Sequence, residues 1–108
     1  MNSNLPLSEQ IRVAQHEWAL AQREYDLLEG MRAVLRDREV NKLMEEQKLS
    51  EARAKLRVIG SEWYESYMRN VVEAKYAALD ARGKWEHLNN LAKEERELGY
   101  QERAMMKI

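Results

Sequence analysis

At 108 residues the chain has the length of one domain, and its 44% apolar and 34% charged residues suit long helices that bury a single stripe. A net charge of −1 argues against a strongly electrostatic protein that coats nucleic acid. The absence of cysteine excludes disulfides, thiol catalysis and zinc–thiolate sites.

No apolar run approaches the length of a membrane span, and Met1–Pro6 lacks the basic start and apolar core of a signal peptide. These features lead us to expect a cytoplasmic protein that avoids membranes, of a cell or of something replicating in one. One proline and four glycines leave little punctuation, so long helices are expected.

The first stretch, residues 1–7, reads as a flexible N-terminus. Ser8 is then the expected N-cap of a first helix, with Glu9 in its first turn; Asn4 competes, because Pro6 is tolerated near a helix start. From Ile11, the residues Ala14, Trp18, Ala21, Tyr25, Leu28 and Leu35 recur at alternating steps of three and four, with Arg32 in one slot. This is the a/d seam of a heptad repeat. The seam fades after Leu35, where the next slots hold Glu39 and Lys42, but helix propensity continues to about residue 47.

Leu49–Ser50 marks a break, and Ser50 is the expected cap of a short helix over about 51–59. Its apolar residues Ala52, Leu56 and Ile59 are expected to cover one end, with Leu43 and Met44. Gly60 reads as a left-handed C′ residue and Ser61 as the cap of a third helix, about 62–98. There Tyr64, Tyr67, Val71, Ala74, Ala78, Ala81, Trp85, Leu88 and Ala92 keep three-four spacing without a charged interruption. Gly99 is expected to fray this helix, leaving 99–108 as a loose or helical tail.

Two seams joined by a short connector run antiparallel. The predicted fold is therefore all-α: a long antiparallel coiled-coil hairpin with a short connecting helix, forming a single helical domain over 8–98. A register placing Ala21 near Trp85 and Tyr25 near Ala81 would set large residues against small ones, as close packing favours.

A second apolar set lies off the seams. Val13, Leu20, Leu27 and Val34 recur every seven residues at heptad position c of helix 1, with Met31 beside them. Met68, Val72 and Leu79 lie off the seam of helix 3. A two-stranded hairpin cannot bury two stripes per helix, and exposed apolar patches mark interaction sites. These eight residues are the expected oligomer or partner interface, with two hairpins pairing into a helical bundle as a homodimer or higher assembly.

The middle of the chain is mildly basic. Residues 32–60 carry eight basic and five acidic groups, against two and five in residues 1–31. Lys48, Arg53, Lys55, Arg57 and Arg69 surround the aromatic cluster Trp63, Tyr64 and Tyr67. Cations interleaved with aromatics suit single-stranded nucleic acid, which stacks its bases and pairs its phosphates. The competing reading makes Tyr64 and Tyr67 seam residues and packs Trp63 under the short helix. Nucleic acid is thus a possible but not a favoured partner.

No catalytic, cofactor or metal site is expected. His16 and His87 fall at heptad positions f and c, away from the seam and from any acidic cluster facing a core. The serines serve as caps or surface, and neither a phosphate-binding glycine loop nor a dinucleotide motif occurs. Arg32 in its seam slot is expected to extend its head to solvent or to pair with a glutamate.

The run Leu49-Ser50-Glu51-Ala52-Arg53-Ala54, the turn Gly60-Ser61-Glu62 and the Ala/Tyr/Glu-rich helix that follows resemble small helical proteins carried by bacteriophages and prophages. The resemblance spans about Leu20–Leu98. It departs from the group at Ser61, where an Asp-Pro turn is usual, and it carries over no functional residue. It implies an accessory factor of the early, DNA-recombination region, in a group with no established activity. Together these readings lead to a non-enzymatic homo-oligomer that binds a further, unidentified protein, in recombination or replication support or in inhibition of a host protein. A single-stranded nucleic-acid binder and a purely structural scaffold are the alternatives.

Overall fold

The computed structural model describes residues 4–106. The first three residues of the expected flexible start and the last two of the tail lie outside the described residues. Three helices account for the fold: α1 (Leu7–Gln47), α2 (Glu51–Ile59) and α3 (Glu62–Met106). No strand occurs among the described residues.

Helix α1 starts one residue before the expected cap. The carbonyl of Pro6 accepts from the backbone N–H of Glu9 and of Gln10, both at 3.0 Å, so Pro6 closes the first turn. The Gln10 side chain reaches back to donate to the Leu5 carbonyl at 2.8 Å. Ser8 therefore sits inside the helix, and its capping role passes to backbone groups.

The connector is built from two serine caps. Ser50 is extended (φ −65, ψ 157) and its side chain accepts from the Arg53 N–H at 3.4 Å. The Ser61 hydroxyl donates to the Val58 carbonyl at 2.6 Å and accepts from the Tyr64 N–H at 3.2 Å. One side chain thus ties off the end of α2 and opens α3. The expected left-handed glycine is absent at this corner: Gly60 has φ −86 and ψ 2. The left-handed residue is Lys48 (φ 52), directly after α1. The chain reverses out of α1 there, at the position where helices favour glycine.

Contacts gather in two compact units, Met1–Ala21 with Ala77–Ile108 and, separately, Gln22–Tyr76. Helices α1 and α3 each run unbroken through both.

In the Gln22–Tyr76 unit, α1 and α3 are antiparallel. The Tyr67 hydroxyl donates to the Leu28 carbonyl at 2.5 Å, while Tyr64, one turn earlier on α3, packs on the cluster of Val40, Ala54 and Val58, whose α1 member lies three turns after Leu28. Arg32 occupies its seam slot by pairing with Glu29 at 2.9 Å and resting a guanidinium nitrogen 3.9 Å from the Met68 sulfur. Beyond Leu35 the seam does not stop. It shifts to Val40, 4% exposed, with Leu43 and Met44 half-buried, whereas Lys42 stays in solvent. A helix of 3.6 residues per turn drifts about 20° per heptad, so a run of four-residue steps (Arg32, Arg36, Val40, Met44) takes over the buried face.

Helix α2 packs on this extended seam with the face opposite to the expected one. Ala54 and Val58 are buried against Val40, with Leu43, Met44, Leu49 and Tyr64 around them. Leu56 and Ile59 point outward, at 72% and 53% exposure, and Ala52 is exposed as well. Apolar residues at 52, 54, 56, 58 and 59 leave both faces of a nine-residue helix apolar, so periodicity cannot choose between them. The choice follows from the angle at which Lys48 and Ser50 launch the helix.

In the other unit, Ala14, Ala78 and Leu88 are buried, and Trp18 meets Trp85 with ring centroids 5.0 Å apart at 36°. The packing expected of Trp85, large against small on Ala21, gives way to an aromatic pair. Arg82 lies 5.8 Å over the Trp18 ring, and Lys84 reaches Glu17 at 3.5 Å. Both indole N–H groups are buried without a hydrogen-bond partner. Each such donor costs about 1–3 kcal/mol, which ring packing and apolar burial must offset.

Two stability measurements check this description. Lys48→Gly should raise unfolding stability by about 0.5–1 kcal/mol in urea denaturation, because glycine holds a left-handed turn without a Cβ penalty. Val58→Ala should cost about 2 kcal/mol, while Leu56→Ala should stay within about 0.5 kcal/mol; the reverse order would mean that α2 packs through its other face.

Candidate interaction surface

The residues off the seams are where the chain meets solvent with apolar groups. Of the eight expected interface residues, Leu20, Leu27, Met31, Val34, Val72 and Leu79 are exposed, Leu27 most of all at 59%. Val13 and Met68 are half-buried, the latter beneath Arg32.

Heptad geometry divides these residues between two sides. In an antiparallel pair the second helix is seen in mirror order, so like-lettered flanking positions share a side of the seam. Glu17 and Lys84, both at position g, show this by meeting at 3.5 Å in their unit. In the Gln22–Tyr76 unit, Leu27, Met31 and Val34 occupy c and g of α1, whereas Met68 and Val72 occupy e and b of α3. The α1 and α3 stripes of this unit therefore lie on opposite flanks of the seam. A partner that covers one leaves the other open.

Among the exposed apolar residues outside the expected set, two groups stand near the connector and the α3 stripe. Leu56 and Ile59 form an exposed pair three residues apart on α2, and Tyr76 stands 61% exposed on α3. The first was hidden by the ambiguous face of α2. The second sits at heptad position f, four residues after Val72 and three before Leu79, on the stripe those two mark.

The aromatic and basic set around the connector does not assemble into one open platform. Tyr67 is held in the seam by its bond to Leu28, and Tyr64 packs on the Val40–Ala54–Val58 core. Trp63 stacks on Tyr67 at 5.7 Å and 29°, and is itself 39% exposed. Of the cations, Lys55 pairs with Glu51 and Arg69 with Glu65, both at 3.0 Å, and Arg57 donates to the Gln47 side chain. Lys48 and Arg53 form no ion pair among the described residues. One indole edge and two cations are what this end offers to a base and its phosphates.

Among the described residues no cluster of three His, Asp or Glu side chains is close enough to hold a metal ion. His16 and His87 are exposed. Among the described residues no helix is long and apolar enough to cross a membrane.

No known protein family, characterised protein or solved structure matches the chain.

Tryptophan fluorescence tests the aromatic assignments. Trp63 should supply most of the acrylamide-quenchable emission, and Trp63→Phe should leave a blue-shifted signal that acrylamide quenches weakly. Strong residual quenching would place Trp18 or Trp85 outside the seam.

Proposed function

We propose that this chain is a non-enzymatic helical interaction protein that self-associates and works by binding protein. One observation carries the reading: the seam residues are buried or half-buried, while the off-seam residues Leu27, Met31 and Val34 stand exposed on α1. Burying an exposed leucine or valine yields about 1.5–3 kcal/mol before association costs, so three or four such residues are enough to drive a weak dimer. A hairpin pre-formed by its own seam loses little conformational entropy on docking, which favours this use of the surface.

The open α3 flank and the Leu56/Ile59 end of α2 then remain for a different protein. The resemblance of the 49–62 segment to small phage-borne helical proteins agrees with an accessory role, in recombination or replication support or in occlusion of a host protein. Direct binding of single-stranded nucleic acid is the second reading, favoured by the exposed edge of Trp63 beside Arg53 and Lys48. The withdrawal of Tyr64 and Tyr67 into the core makes it the weaker one.

Static light scattering at micromolar concentration should give at least twice the 12.8 kDa chain mass. Leu27→Lys with Val34→Lys should return the chain to a monomer of unchanged helicity. A wild-type monomer throughout that range would remove self-association from the reading.

A further inference from the structure

The exposed face of α1 between residues 23 and 38 has a symmetry that its apolar residues alone do not reveal. Leu27 and Val34 lie at equal distances on either side of Gly30 and Met31. Flanking them at heptad positions f and g are Arg23 and Glu24 on one side and Asp37 and Arg38 on the other. The signs are inverted across the centre: Arg23 matches Asp37 at position f, and Glu24 matches Arg38 at position g.

All four charged residues are exposed. Among the described residues Arg23, Glu24 and Arg38 form no ion pair, and Asp37 has only its chain neighbour Arg36, at 3.5 Å. This face therefore carries charge of both signs that its own chain leaves uncompensated. Gly30 has open space where a side chain would stand, so a helix crossing at the centre can approach closely.

We infer that the occupant of this face is the same face of a second copy, crossing antiparallel about a two-fold axis near Gly30 and Met31. The inference rests on the self-association proposed above and specifies its geometry. In that arrangement Leu27 of each copy meets Val34 of the other, and Met31 meets its own equivalent. Arg23 faces Asp37 and Glu24 faces Arg38, and each pair occurs twice by symmetry. A parallel, in-register pairing would swap the flanks and set Arg23 against Glu24 and Asp37 against Arg38 of the other copy, so the two directions differ in which charges meet. The apolar residues supply the area, and joint reversal of Glu24 and Arg38, which restores the antiparallel contacts but not the parallel ones, reads out the direction.

The stripes on opposite flanks add a consequence. A two-fold contact through α1 closes on itself and consumes the α1 flank of both copies, so the assembly stops at two. The Val72 flank of α3 stays outside that contact.

Two sets of variants test the inference by sedimentation-velocity measurement of the dimer dissociation constant. Glu24→Arg and Arg38→Glu, made singly, should each weaken the dimer about tenfold, because each creates two like-charge contacts across the axis. Combined, they should restore the constant to within about threefold of the wild type. In this cysteine-free chain, Met31→Cys should give a disulfide-linked dimer on mild oxidation, and Ala33→Cys, on another side of the helix, should not. A dimer that ignores the charge reversals and resists cross-linking at position 31 would overturn this geometry and leave self-association standing. A chain that stays monomeric would overturn both.

Discussion

Two helices packed along one line can each bury one stripe, and everything else about this protein follows from which residues occupy that line. In the Gln22–Tyr76 unit the line is held by the Tyr67–Leu28 hydrogen bond and by the cluster around Val40, Ala54 and Val58. The other unit has its own contact line, held by Trp18 against Trp85 and flanked by buried Ala14, Ala78 and Leu88. The alanines allow backbone approach on either side of a bulky aromatic pair. Two orphaned indole N–H groups show that the site favours ring packing over hydrogen-bond satisfaction.

The connector turns local backbone chemistry into surface chemistry. Lys48 accepts a left-handed conformation and Ser50 caps the helix that follows, which sets the rotation of α2 about its own axis. That rotation sends Ala54 and Val58 inward and leaves Leu56 and Ile59 outside.

The surface reading joins the seam to function. With the seam filled, most of the off-seam apolar residues of α1 and α3 stay exposed, and mirror ordering in an antiparallel pair puts the two stripes of the Gln22–Tyr76 unit on opposite flanks. In the proposed dimer one flank takes a second copy through its inverted charges, and the other stays open. The aromatic connector end, which looked in sequence like a stacking platform, is largely committed to the core through Tyr64 and Tyr67.

Much of the fold was legible in the sequence. Three-four spacing marked the seams of both long helices, serine followed by glutamate marked the caps at Ser50 and Ser61, and seven-residue spacing marked the exposed stripe of α1. These signals are local, because helix periodicity and capping are decided within one or two turns. Other features depended on tertiary structure. The seam beyond Leu35 shifted to Val40 because a 3.6-residue helix rotates away from a strict heptad, and only the partner helix reveals how far. Trp18 met Trp85 because register is a property of the pair and not of either helix. The buried face of α2 was undecidable from five apolar residues in nine, since the angle of the connector selects among them. The sequence by itself determined that two amphipathic helices would pair and leave apolar surface uncovered; the tertiary structure decided which residues that surface contains, because burial is settled by what lies opposite each side chain.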